Sequence, residues 1–153
     1  MPPDSLAQRL ERTLRHEIPL TDALGLAVEE WTDRRLVVRA PLQPNLNHKC
    51  TAFGGSLYSV AVLAGWGWLW CVLEETGHSA TIVIQHSRME YKAAVEGDIR
   101  ARCDGASERN LDRFLRTLDR RGRARIDLDV TVDGADDPAA VFTGSYVVIT
   151  RED

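Results

Sequence analysis

The residues best suited to chemistry lie in one short segment, residues 47–55, with the sequence Asn-His-Lys-Cys-Thr-Ala-Phe-Gly-Gly. A long helix is predicted to begin at its second glycine. The first amides of a helix lack partners within it and lie at its positive end, and glycine lets the backbone approach a ligand closely. The amides of Gly55 and Ser56 are therefore predicted to hold a carbonyl oxygen as negative charge develops on it. The alternative is that the glycines merely allow a tight entry into the helix.

Two polar side chains of this segment are candidates for catalysis. The Asn47 amide can orient a water molecule or a carbonyl group, and His48 is of a type suited to general-base catalysis. The structural alternatives are that Asn47 caps the loop and that His48 is a solvated loop residue. The same segment contains Cys50, but a nucleophilic cysteine needs a positioned base with a third group behind it. No third group is apparent, so Cys50 is interpreted as a loop residue.

The hydrophobic pattern predicts the elements that position this segment. Leucines at helical spacing indicate an amphipathic helix over residues 4–17, an apolar run indicates a long helix over 55–76, and Ser107 begins a helical insertion over 107–121. Alternating faces indicate six strands: 24–31, 36–42, 80–91, 98–104, 125–133 and 141–150.

These elements predict an α+β fold in which a curved antiparallel sheet wraps around the long apolar helix, because that helix alone can cover the apolar face of the sheet.

Residues 53–73 carry no charge and are long enough to span a membrane. Trp66, Trp68 and Trp70 lie within the run rather than at its two ends, which favours a buried core helix.

Size, charge and cysteine content exclude several classes of function for this chain. The chain has 153 residues, a size that fits a single domain spanning 1–153, and its net charge of −4 argues against general nucleic-acid binding. The three cysteines have no metal-ligand spacing, and no signal peptide is visible. We expect a cytoplasmic protein with free thiols, no metal and no membrane partner.

The helical insertion carries a row of basic residues. Arg109, Arg113, Arg116 and Arg120 recur along one face, and Arg121, Arg123 and Arg125 follow. Guanidinium groups suit phosphate recognition. Arg113 and Arg116 are thus predicted to contact the phosphates of coenzyme A or an acidic carrier protein, the alternative being a solvated face interleaved with acidic residues.

The segment 47–55 resembles the corresponding loop of hotdog acyl-CoA thioesterases, in which an Asn precedes a Gly-Gly pair that opens the central helix. Residues 44–103 look more closely like the YiiD C-terminal thioesterase family, through Asn-X-Asn-His-Lys followed by Thr-X-Phe-Gly-Gly-Ser-Leu-Tyr. This resemblance implies a hotdog fold and hydrolysis of an acyl-CoA or acyl-carrier-protein thioester by direct attack of water. It also implies a homodimer or homotetramer, and no cofactor beyond the coenzyme A moiety of the substrate.

The resemblance implies a substrate-binding role for further residues. The strand over 80–91 lies beside the active site in the resembling families, and alternation places Gln85 and Ser87 on one face with Met89 and Tyr91, opposite His86, Arg88 and Glu90. The residues expected to contact substrate are Phe53, Gly54, Tyr58, Gln85, Ser87, Arg113 and Arg116.

One position departs from the resembling enzymes. They usually carry Asp or Glu seven residues after the second glycine, where this chain has Val62. Two alternatives to hydrolysis therefore stay open: a noncatalytic acyl-binding or regulatory module, and an enoyl-thioester hydratase, which would need a His with an acidic partner.

Overall fold

The computed structural model describes residues 1–152 and contains every predicted helix and strand. The helices are α1 (Leu6–Glu17), α2 (Leu20–Leu24), α3 (Gly54–Thr76) and α4 (Glu108–Arg121), with a 3-10 turn at Gln43–Asn45. The strands are β1 (Ala27–Thr32), β2 (Arg35–Ala40), β3 (Ala80–Tyr91), β4 (Ile99–Cys103), β5 (Arg123–Val132) and β6 (Ala140–Thr150).

The sequence pattern missed the 3-10 turn and, with more consequence for the strands, the short helix α2. This helix includes Leu24, the first residue of the predicted strand, and it is capped by Gly25, whose φ of 71° is left-handed. A side chain at Gly25 would also meet the ring of Pro41 at 2.9 Å. Strand β1 therefore begins three residues later than the expected Leu24.

The six strands form one antiparallel sheet in the order β1-β2-β4-β5-β6-β3. Alternate residues of β5 are buried, as its sequence predicts, and they face α3, which packs against five of the six strands. Trp68 of α3 and Tyr146 of β6 are among the largest fully buried side chains. This is the expected hotdog architecture, with the sheet wrapped around the central helix.

Helix α3 is long and apolar enough to cross a membrane by composition alone, with a mean hydropathy of 1.5. In the fold, however, 72% of its most apolar window is buried within the protein. It is the core helix that the position of its tryptophans favoured.

The helical insertion completes the sheet on its inner side. Strands β4 and β5 pair through only two residue pairs, so most of one edge of β5 has no strand beside it. Helix α4 packs along β5 and contributes Leu111, Phe114 and Leu118 to the core. Its arginines are consequently left on the outside, where all of them are exposed.

Candidate functional site

The loop before α3 is held in one shape by its own backbone. The amide of Phe53 donates to the carbonyl of Asn45 (2.7 Å), and Leu46 and Ala52 form an antiparallel bridge. Beneath that bridge the side chain of Asn45, only 3% exposed, donates to two backbone carbonyls. These bonds fix the position of Phe53 at the start of α3.

The side chain of Asn47 is fully engaged within this loop. Its Oδ1 accepts from the amides of Lys49 (2.8 Å) and Thr51 (3.1 Å). Its Nδ2 donates to Thr51 Oγ1 at 2.8 Å and, more weakly, to the carbonyl of Ala52 at 3.4 Å. These bonds match the alternative interpretation of Asn47 as a loop cap. A direct action of Asn47 on substrate stays a prediction, and it would require giving up one of these bonds.

The free amides at the start of α3 lie one residue earlier than expected. The helix begins at Gly54, and the amide of Ser56 already donates to the carbonyl of Phe53 (2.9 Å). Within residues 1–152, the amides of Gly54 and Gly55 have no hydrogen-bond acceptor. The expected pair of Gly55 and Ser56 is therefore corrected to Gly54 and Gly55, because the tight first turn satisfies Ser56.

The ring of Phe53 packs against Gly55, whereas the ring of Tyr91 lies beside Gly54. Phe53 is 55% exposed, and an ideal Cβ at Gly55 would lie 2.4 Å from its Cε1 atom. Only glycine fits beneath the ring as it stands. The exposed aromatic ring provides an apolar wall for a ligand.

Tyr91 is a site residue that the sequence analysis did not single out for a role. Its hydroxyl donates to the carbonyl of Gly54 (2.9 Å), and burial together with the nearby Tyr58 raises its pKa. The hydroxyl therefore stays protonated and holds the first peptide of α3 in place. Alternation places Tyr91 on the same face of β3 as Ser87, but a contact between positions 37 residues apart cannot be predicted from that pattern.

Tyr58 and Ser87 meet across the gap between α3 and β3. Their hydroxyls form a very short contact, and the Tyr58 ring packs edge-on against Phe142, with ring centroids 5.8 Å apart. Both side chains are half-buried. Ser87 therefore lies on the side of β3 that faces α3, and its role in substrate binding stays a prediction.

Gln85 does not share that face, and its expected position is wrong. A β-bulge between Ile84 and His86 leaves Gln85 without a partner on β6. The extra residue reverses the alternation, and Gln85 lines a cleft on the outer surface with Thr117, Arg121 and Val147. It is therefore separated from Ser87 by the sheet itself.

The side of α3 that faces β3 is only half-buried. The residues that share this side are Gly55, Tyr58, Ser59, Val62, Trp66 and Trp70. They form one continuous face because they recur at helical spacing. Val62 thus lies on the same face as the free amide of Gly55, about two turns away. The first carboxylate on that face is Glu74, near the C-terminal end of α3 and about three turns beyond Val62.

The remaining predicted residues are exposed. His48 is exposed, and its side chain makes no hydrogen bond with any residue of the described range 1–152. Cys50 is also exposed and has a left-handed φ of 62°. Arg113 and Arg116 lie on the exposed side of α4, and neither forms a hydrogen bond or ion pair with Tyr58 or Ser87.

The cysteines differ in reactivity. Burial raises the pKa of both Cys71 and Cys103, the latter to about 12, whereas Cys50 is exposed. Cys50 and His48 form no hydrogen bond with each other, so the arrangement lacks the activated pair that a nucleophilic thiol requires.

If the chain hydrolyses acyl thioesters, as its resemblance implies, replacement of Cys50 by Ala should leave the rate within about twofold of the unmodified protein, because no neighbouring group activates the thiol. Steady-state thiol release measures this, and mass spectrometry of the protein mixed with substrate should show no acyl adduct. Loss of hydrolysis in the variant, together with an adduct on Cys50 in the unmodified protein, would contradict the interpretation.

Comparison with known proteins identifies the family of the chain. The family described as "Putative thioesterase (yiiD_Cterm)" matches residues 7–150. The fold is also similar to a protein of unknown function from Chlorobaculum tepidum, at 32% identity and a TM-score of 0.91 over 95% of both chains. A structure from Shewanella oneidensis described as a "putative thioesterase" shares 29% identity and a TM-score of 0.85, covering 94% of this chain and 97% of the other.

A more distant thioesterase from Haemophilus influenzae shows the same fold. It has a TM-score of 0.70 at 12% identity, over 97% of this chain and 93% of the other. At this identity the likeness concerns the fold alone.

Proposed function

The chain belongs to the YiiD C-terminal thioesterase family, and from this premise we propose that it hydrolyses an acyl thioester of coenzyme A or of an acyl carrier protein by direct attack of water. The observation that carries the proposal is the pair of free amides of Gly54 and Gly55. They lie at the positive end of a 23-residue helix, and the exposed ring of Phe53 packs against the second of them.

The chemistry follows from this pair of amides. Attack of water on the thioester carbon places negative charge on the carbonyl oxygen, and two amide donors at a helix start stabilise that charge. Collapse of the tetrahedral intermediate breaks the C–S bond and releases a thiol and a carboxylic acid. We propose that Phe53 and Tyr58 line the acyl group and that Tyr91 keeps the Gly54 peptide oriented.

The attacking water needs a general base to accept its proton and a fixed position relative to the two amides. We propose that Asn47 fixes the loop that presents Gly54 and Gly55, and that His48, one residue further along, accepts the proton of the water. Ser87 is proposed to bind substrate across from Tyr58. Val62 leaves the helix face apolar where the resembling enzymes carry a carboxylate.

The proposal is tested by thiol release from short, long and aromatic acyl thioesters on both coenzyme A and a carrier protein. Hydrolysis above the spontaneous rate supports it. Absence of hydrolysis from every substrate, combined with saturable binding of an acyl thioester, would instead support a noncatalytic acyl-binding module. The apolar side chain of Val62 is the observation that favours this second candidate.

We further propose that the chain acts as a homodimer or homotetramer in the cytoplasm. Strand β3 lies at the edge of the sheet and exposes Val83 and Ile84, 45% and 37% exposed. A long edge strand with exposed apolar side chains favours pairing with a second copy. Its inner face also carries Ser87 and Tyr91, so the pairing would complete the site from two subunits.

Light scattering at micromolar concentration should therefore give a mass of at least twice the 17.1 kDa of one chain. Replacement of Ile84 by Lys on the edge strand should shift the protein toward the monomer, because a charge on an edge disfavours strand pairing. A monomer in the unmodified protein would contradict both the dimer and a site shared between subunits.

A further inference from the structure

The seven arginines between residues 109 and 125, here called the arginine surface, differ from most arginines of the chain. Nine arginines elsewhere form ion pairs with acidic side chains. None of the seven pairs with an acidic residue of the described range. All seven are exposed. A cluster of like charges is unfavourable by itself, so an unneutralised cluster indicates an anionic partner.

The charge of this surface opposes that of the rest of the chain. Residues 109–125 contain seven arginines and two aspartates, whereas the whole chain has a net charge of −4. One of those aspartates, Asp119, is directed to His78 (2.7 Å) and not to an arginine. An acidic partner would thus be repelled by most of the molecule and attracted to this surface, which favours one docking orientation.

The shape of the arginine surface favours a macromolecule over a single nucleotide. From Arg109 to Arg120 the row extends about 16 Å along α4, and Arg123 and Arg125 continue it onto β5. A cleft lined by Arg121, Arg125 and Gln85 extends the arginine surface to the edge strand β3. The phosphates of one coenzyme A molecule are grouped at one end of the ligand and would engage only part of this row.

The cleft also connects the arginine surface with the candidate site. Gln85 lines the cleft on the outer face, whereas Tyr91, six residues later on the same strand, contacts Gly54. Six residues of strand extend about 20 Å. An extended phosphopantetheine arm can cover such a distance, from a carrier docked at the arginine surface to the free amides.

We propose that the arginine surface docks an acidic carrier protein through a row of its carboxylates, and that the thioester reaches Gly54 and Gly55 on the carrier's prosthetic arm. This inference rests on the proposed function and specifies the substrate: the carrier-bound thioester rather than the coenzyme A thioester. Arg113 and Arg116 lie at the centre of the row on α4.

The test compares a variant carrying Arg113→Glu and Arg116→Glu with a control carrying Arg12→Glu and Arg15→Glu. Both pairs are exposed and three residues apart on a helix, but Arg12 and Arg15 form ion pairs on α1. The substrates are octanoyl thioesters of a bacterial acyl carrier protein, of coenzyme A and of pantetheine. The Arg113→Glu, Arg116→Glu variant should show a kcat/KM about tenfold lower for the carrier substrate at low salt, and a smaller loss at high salt. The control variant should keep the kcat/KM of the unmodified protein for this substrate.

The other outcomes overturn the inference in distinguishable ways. An equal loss for octanoyl-coenzyme A, with none for octanoyl-pantetheine, would make the arginine surface a phosphate site. Unchanged kcat/KM for all three substrates at low salt would make it a solvated surface. If the unmodified protein hydrolyses none of them, the proposed function fails. Fluorescence anisotropy of a labelled carrier with an amide in place of the thioester still measures docking, which must weaken in the first variant and not in the control.

Discussion

Replacement of Asn47 by Ala should lower kcat by about a hundredfold, the magnitude typical of a lost polar contact in the transition state. The amide group of Asn47 holds the loop in its conformation with four hydrogen bonds. Without it, the amides of Gly54 and Gly55 lose their fixed position. Half-burial of Asn47 means that thermal unfolding should also show a loss of about 1–2 kcal/mol. Steady-state hydrolysis and thermal denaturation measure the two effects.

The Asn47→Asp variant separates the two interpretations of this residue. A carboxylate can still accept from the amides of Lys49 and Thr51, but it cannot donate to Thr51 Oγ1. If Asn47 acts as a loop cap, Asn47→Asp should retain most of the stability and more activity than Asn47→Ala. If its NH2 group contacts the substrate, both variants should lose kcat equally. Hydrolysis at full rate in Asn47→Ala would remove Asn47 from the mechanism.

The central helix and the strands could be predicted from the sequence because each has a strong pattern of its own. The alternation of β5 is local information, and so is the uncharged run of α3. The bulge at Gln85 could not be predicted in this way. A β-bulge changes the face on which a side chain lies without leaving a mark in the order of residue types. Alternation therefore predicts the wrong face for Gln85.

The candidate site was predictable in its location and less so in its detail. The Gly-Gly pair before an apolar helix indicated free amides, but which two are free depends on whether the first turn is tight, and here Ser56 bonds to Phe53. The hydrogen bond from Tyr91 to Gly54 depends on the packing of β3 against α3. The spacing of the arginines was visible in the sequence, whereas their lack of acidic partners required the positions of all the neighbouring carboxylates.

Replacement of Val62 by Asp should increase kcat about tenfold or more, since a positioned general base contributes about 10²–10⁴-fold. Val62 lies on the same half-buried face of α3 as Gly55, where the resembling enzymes carry a carboxylate. Because this face is not fully buried, the new charge keeps contact with water. Its cost should stay at about 1–3 kcal/mol, below the cost of an unpaired charge in a dry core. Thiol release at several pH values and thermal denaturation measure the two effects.

Two matched variants make the Val62 result interpretable. Val62→Asn has nearly the same shape as Val62→Asp but no base, so it should not raise kcat. Val60→Asp places the same carboxylate two residues earlier, where the side chain is fully buried at 0% exposure, and should destabilise the fold by several kcal/mol more. If Val62→Asp folds but hydrolyses no faster than Val62→Asn, the face of α3 does not present that position to the thioester. The apolar side chain would then mark a real departure from the mechanism of the resembling enzymes, because restoring the carboxylate would not restore its role.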